Sequence, residues 1–249
     1  VERNDIIRLE DRKMGKAKFD GYAQEYDTWF MTNENVFLSE LKLLKAALDL
    51  TDGGRILSVG CGSGLFEKAL NDEYGITVTD GVEPSEDMAD IARKRGMQVQ
   101  IATAETAQLE PESYDVIYFN GSSSYIPDLD VAYGNILKAL KTGCKLVLLD
   151  VPKESAYGLL YLLAGKLDTY AAPELLDTVP ACPYPLELVH TAYWHTTEEK
   201  SQVLIEHLGL RDLEYRQTLV AHPVYTNRAV EEPIDGYQAG GYVAIVATK

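Results

Sequence analysis

The sequence predicts a doubly wound α/β fold. Three observations carry that prediction: short apolar runs alternate with amphipathic segments, the first run ends in a glycine-rich turn, and five such runs fit between residues 55 and 151. Strands joined by right-handed helical crossovers make a parallel sheet covered on both faces. RILSVG (55–60) reads as the first strand, and GLFEKALNDEY after it has helical spacing at Leu65, Phe66, Ala69 and Leu70. ITVTDGV (76–82) gives the second strand, with Ser85 as N-cap of a helix EDMADIARKR whose last turn is basic. MQVQIA (97–102) and YDVIYFN (114–120) are strands three and four. Asp128 then caps a helix with Leu129, Tyr133, Ile136, Leu137 and Leu140 on one stripe, closed by Lys141 and Gly143, and CKLVLLDV (144–151) is strand five. Beyond it, TTEEKSQVLIEHLG reads as a capped helix ending at Gly209, and DLEYRQTLV (212–220) with GYVAIVATK (241–249) as a closing strand pair.

At 249 residues the chain is expected to be a single domain, 1–249. Two segments stand outside the alternation: a helical region over residues 1–50, read from about residue 5, and residues 152–195, which carry four of the ten prolines within 173–185. An insertion after a strand's carboxyl end lies over the usual ligand crevice of such sheets. Both segments are therefore expected to cap the site, the second as a mobile, mostly helical lid.

The formal charge is −16, with six Lys/Arg against four Asp/Glu in the first 18 residues and 17 against 35 in the rest. An anionic body repels phosphate backbones and anionic lipid, which leaves a small-molecule substrate as the expected partner, with no nucleic acid and no membrane. The longest uncharged apolar stretch, 156–165, is about half of what a bilayer span needs. Cys61, Cys144 and Cys182 form no CxxC, which fits free thiols in a reducing cytoplasm, and no His/Cys/Asp cluster has metal-ligand spacing. Nothing in the sequence indicates an oligomeric state.

The most informative residues are Gly60, Cys61, Gly62, Ser63 and Gly64, where glycines let the backbone turn tightly and approach a ligand beside a helix N-terminus. The G-x-G-x-G spacing lacks the third glycine of the dinucleotide fingerprint, and no GK[ST] marks a P-loop. Glu83 follows 23 residues after Gly60, at the end of strand two, where an acid can accept hydrogen bonds from both hydroxyls of a ribose.

Taken together, ILSVGCGSGLFEKAL, GVEPSEDMADIARKR, IATAETAQL and ESYDVIYFNGSSSYIPDLD resemble the motifs of the class I S-adenosylmethionine-dependent methyltransferases, especially the small-molecule group of the ubiquinone and biotin pathways. The resemblance covers about residues 19–151, and FDGYAQEYDTWF (19–30) is similar to the helix these enzymes place before the domain, with Tyr22 and Tyr26 near the cofactor. It implies a Rossmann-like, mainly parallel seven-stranded sheet with an antiparallel C-terminal strand, and S-adenosylmethionine as cofactor. It further implies that Gly60, Gly62 and Gly64 pass under the methionine and ribose portions, that Glu83 holds the ribose hydroxyls and that Met88 packs on the adenine. Ala104 would offer its backbone N–H to the adenine ring, Asn120 would stand beside the methionine part, and Pro84, Thr103 and Glu105 complete the expected cofactor set. Two positions depart from the family, which often has an acid where Ser58 and Thr103 stand; Glu105 is the nearest acid to the second.

Transfer from a sulfonium needs an in-line nucleophile, excluded water and sometimes a base. No motif identifies that base. Tyr125, Tyr161, His190 and Trp194 are the expected substrate-facing residues, and the aromatic content of 152–195 suits an enclosed chamber for a small, largely apolar or aromatic acceptor. Oxygen, nitrogen, carbon and sulfur nucleophiles all fit this reading. A DNA-base acceptor lacks its sign, since Gly121-Ser122 follows Asn120 in place of a proline-proline-aromatic. The alternative, a non-catalytic S-adenosylmethionine-binding sensor or partner protein, draws on Ser58 and Thr103.

Overall fold

A computed structural model describes residues 17–249, so the part of the expected N-terminal cap before residue 17 lies outside the described residues. Five parallel strands, β1 (Ile56–Val59), β2 (Asp80–Glu83), β3 (Gln98–Ile101), β4 (Tyr114–Asn120) and β5 (Leu140–Asp150), are followed by β6 (Arg211–Thr218), β7 (Ile234–Asp235) and β8 (Tyr242–Thr248). Their order is β3-β2-β1-β4-β5-β8-β6-β7, with β8 antiparallel to both β5 and β6. The chain therefore moves outward from β1 to β3 and restarts on the other side of β1 at β4. That reversal is the topological switch point, where the carboxyl ends of β1 and β4 diverge and open a crevice.

The central strands β1, β4, β8 and the second half of β5 read as largely apolar runs because both sheet faces are covered there, whereas β3 at the edge (QVQI) stays partly exposed. Val116, Tyr118, Val147, Leu149, Ala244 and Val246 enter one core with the helix Glu34–Leu48, while Ile117, Phe119, Leu146, Leu148, Ile245 and Ala247 enter the other with the helix Leu129–Ile136. Residues two apart share a face, as strand geometry requires.

Three boundaries differ from the sequence expectation. The helix after Asp128 ends at Ile136, and Lys141 and Gly143, expected to close it, lie in β5, where Leu140 pairs with Tyr114 before a register shift. Leu137 and Leu140 keep helical spacing but are buried by the sheet, which wins over the period. β2 begins only at Asp80, since residues 76–79 stand outside its ladder. The segment after Thr196 forms a capping box with Glu199, an α-helix over Thr197–Gln202 and then a π-helical turn over Val203–His207. The additional β7 is only two residues long, between Pro233 and Gly236, too short to leave a periodic signal.

Residues 152–195 contain the helices Ala156–Leu167 and Leu186–His190, a single turn at Pro173–Leu175 and no strand. Ser155 caps the first of these by accepting the Gly158 N–H at 3.0 Å. Tyr157, Leu160, Tyr161 and Ala164 then pack into the same core as the helix Glu34–Leu48. Among the described residues no helix is long and apolar enough to cross a membrane.

Candidate active site

A cavity of about 360 Å³ lies at the switch point. Its floor is the turn after β1. Gly60 has φ +71°, and a Cβ there would stand 2.5 Å from the Cβ of Ser122, whose hydroxyl donates to the Val59 carbonyl at 2.8 Å. Gly62, at φ +55°, faces open space instead, where a Cβ would meet no atom within 4 Å. Both glycines line the cavity; Gly64 does not, because it turns toward Ala92 and Met97 and starts the helix Leu65–Tyr74.

Glu83, at the end of β2, is 5% exposed and lines the cavity. Its Oε2 accepts the Gly62 N–H at 2.9 Å and its Oε1 accepts the Ser85 N–H at 2.8 Å. Burial pushes the carboxyl up to about 7, against the lowering by those two N–H groups. Pro84 and Met88 continue the same wall, and Thr103, Ala104 and Glu105 form the end beyond β3. The Ala104 and Ala107 carbonyls accept both amide protons of Asn135 at 2.9 Å, fixing this loop, and the Ala104 N–H has no partner among the described residues.

The helix Ala23–Thr32 covers the glycine turn. Ser63 donates to Asp27 at 2.5 Å, and Arg95 donates to Asp27 at 2.6 Å and to Ser63 at 2.7 Å, an arrangement that holds Tyr26 on the cavity wall. Tyr22, one turn earlier, does not line it. Lys18 also lines the cavity and donates to the Tyr125 carbonyl at 3.0 Å and the Thr191 carbonyl at 2.8 Å, joining the start of the described chain to the inserted segment.

A second chamber of about 70 Å³ adjoins the first, sharing Tyr26, Asn120, Gly121 and Tyr125. Asn120 is steadied by the Tyr242 hydroxyl, which donates to its Oδ1 at 3.0 Å. Trp29, Tyr161, Tyr184 and Trp194 form one contiguous part of the aromatic wall: Tyr161 stands 5.5 Å from Trp194 and 6.0 Å from Tyr184, and Trp29 stands 5.2 Å from Tyr184. Of the expected substrate-facing residues, Tyr125, Tyr161 and Trp194 line the chamber. His190 does not: it pairs with Asp168 at 2.9 Å on an exposed face, since the helix Leu186–His190 buries Leu188 and Val189 instead.

Sequence reasoning missed three buried carboxyls. Glu67 accepts from Ser58 and from the Tyr118 hydroxyl, both at 2.6 Å, so an acid from the following helix stands beside the position where the family often carries one. Asp150 accepts from Ser124 at 2.8 Å and from Lys200 at 3.2 Å, the ion pair being 3% exposed at each end. Glu40 lines the second chamber and is 6% exposed, and its carboxyl takes no hydrogen bond among the described residues. The readable signal was a charged residue at an apolar position: Glu40 follows Val36 and Phe37 and precedes Leu44, and Glu67 precedes Leu70.

The model of a methyltransferase domain family matches residues 33–214, most of the chain. The chain belongs to that family. This methyltransferase is 30% identical to a solved S-adenosylmethionine-dependent methyltransferase from Thermotoga maritima, described as a possible histamine N-methyltransferase, over 93% of this chain and 98% of that one, with a TM-score of 0.77. It is 28% identical to an uncharacterized protein of Methanocaldococcus jannaschii, over 93% of this chain and 98% of the relative. A phosphoethanolamine N-methyltransferase of Haemonchus contortus, solved with S-adenosyl-L-methionine, shares the fold at 16% identity and a TM-score of 0.54, over 84% of this chain and 52% of its own. The cofactor of the methyltransferase is S-adenosylmethionine, and the larger cavity suits it in kind. A buried acceptor at Glu83 suits hydroxyl donors, an unpartnered N–H at Ala104 suits a ring nitrogen, and open space before Gly62 leaves room for a ligand against the backbone.

Proposed function

We propose that this methyltransferase moves the methyl group of S-adenosylmethionine to a small, largely apolar or aromatic acceptor held in the chamber beyond Asn120. The observation that carries this reading is the junction of the two cavities at Tyr26, Asn120, Gly121 and Tyr125, which sets an aromatic chamber beside a nucleoside-sized space. In this reading Glu83 binds the ribose hydroxyls, Pro84 and Met88 pack on the adenine, and the Ala104 N–H reads its edge between Thr103 and Glu105. Gly60 and Gly62 carry the central portion, and Asn120 and Tyr26 border the methionine part; Gly64 acts indirectly, by starting the helix behind the turn.

S-adenosylmethionine, when bound, supplies a methyl group already activated on a sulfonium. What remains for the chain is positioning and the exclusion of water. The cap made by the helix Ala23–Thr32 and residues 152–195 suits that task, because Trp29 Nε1–H donates to the Cys182 and Pro183 carbonyls at 3.2 and 3.0 Å and closes one side. The name of the Thermotoga maritima protein describes a small, ring-bearing acceptor, in keeping with such a chamber. The −16 charge disfavours nucleic acid, and the three free thiols suit a reducing cytoplasm. The test is transfer from methyl-labelled cofactor. Label in a low-mass, organic-extractable product supports the reading; label only in added tRNA or protein overturns it.

A further inference from the structure

The aromatic chamber holds two carboxyl groups, and they are not alike. Asp150 is answered by Lys200 and Ser124, and its other oxygen accepts the Val151 N–H at 2.9 Å, so this pair adds no net charge. Glu40 has no such answer, although it is more than nine-tenths buried and borders the cavity. A buried carboxylate without a counter-charge is costly, and ring faces offer further negative potential to whatever lies between them. A cation would meet both demands. We propose, on the reading that the chamber binds the acceptor, that this acceptor is a primary or secondary amine which enters as its cation, is anchored through nitrogen by Glu40 among the rings, and gives Glu40 its proton.

The chemistry balances. An ammonium has no lone pair, so one N–H proton passes to the Glu40 carboxylate. The freed pair then forms the new N–CH3 bond as the S–CH3 bond breaks with its electron pair left on sulfur. The one proton lost per turnover is the one Glu40 gives to solvent as the ammonium binds, so the methylated product, again a cation, leaves Glu40 protonated as in the empty chamber. Burial, with Asp150 nearby, raises the Glu40 carboxyl to about 8, close enough to an amine for the proton to move either way. The groups facing it are Asp150 on β5, Tyr26, Tyr161, Tyr184 and Tyr242, all phenols that burial holds neutral, with Lys200 behind Asp150.

Calorimetry on protein saturated with S-adenosylhomocysteine tests this with 2-phenylethylamine, benzylamine and tryptamine against the matching neutral alcohols. At pH 7 the amines are expected to bind about tenfold or more tightly than the alcohols, the range for a hydrogen bond to a charged group. Each amine should release close to one proton, read as a dependence of the heat on buffer, because Glu40 is mostly protonated in the empty chamber. Glu40→Gln should abolish both the preference and the release while S-adenosylhomocysteine binds as before, which also shows that the variant is folded. Equal binding of amines and alcohols to the unaltered protein, or an undiminished preference in the variant, overturns the amine proposal and leaves the aromatic-acceptor reading standing. Binding of neither series overturns both.

Discussion

Glu83 gives one lone-pair direction of each oxygen to the backbone, at Gly62 and Ser85, and keeps the rest for the cavity. Replacing it by alanine is expected to weaken S-adenosylhomocysteine binding by about 1.5–3 kcal/mol, the cost of losing a hydrogen bond to a charged group, as calorimetry would measure. The pH dependence has a defined sign. With the carboxyl raised to about 7, the empty site protonates as pH falls through that value and becomes a poorer acceptor for hydroxyl donors, so affinity should drop below pH 7 and level off above it. Glu83→Gln should flatten that profile. The places of Gly60 and Glu83 on the cavity were legible in the sequence because they depend on a backbone turn and a strand end, which local spacing reveals. Glu40 and Glu67 carried only the weak signal of a charge on an apolar stripe, which a solvent-facing helix residue can also give, and the fold decides that theirs turns inward.

The helix Ala23–Thr32 and residues 152–195, which line the two cavities, are joined by specific polar contacts. Trp29 joins the helix Ala23–Thr32 to residues 182–183, Tyr125 donates to the Tyr184 hydroxyl at 3.1 Å, and Tyr170 donates to the Tyr184 carbonyl at 2.9 Å. Trp29→Phe removes the indole donor together with the five-membered part of the ring, a loss of about 1 kcal/mol or more, so amide exchange at residues 180–186 should quicken several-fold. Binding of S-adenosylhomocysteine should slow exchange across 152–195 in the unaltered protein; full protection without ligand would refute a mobile cap. The alternating strands and helices were readable because each carries its own period. The ends of the helix Leu129–Ile136 and of β2 were not: pairing with β4 recruits Leu140, and the β3 register admits β2 only from Asp80.

Over the whole molecule, Glu40, Glu67 and Glu83 are buried carboxyls, each with its pKa raised chiefly by desolvation. A group whose folded pKa lies above its unfolded one binds more protons in the native state, so stability falls as pH rises between the two values. For Glu83 that window runs from about 4.5 to about 7, and for Glu40 from about 4.5 to about 8. The ligand-free protein should therefore melt at a higher temperature near pH 5.5 than near pH 8.5, by on the order of 5 °C or more for a chain of this size. The −16 net charge could produce a trend of the same sign through repulsion at the surface, but such repulsion is screened within about 10 Å at 0.1 M salt, whereas buried groups are screened much less. Melting curves at low and high salt separate the two: the slope should persist in salt. Glu40→Gln should reduce it, because the amide keeps the shape without the ionisable proton. A slope that vanishes in salt, or that survives unchanged in Glu40→Gln, Glu67→Gln and Glu83→Gln alike, would place the titrating groups at the surface and remove the buried carboxyls from the account.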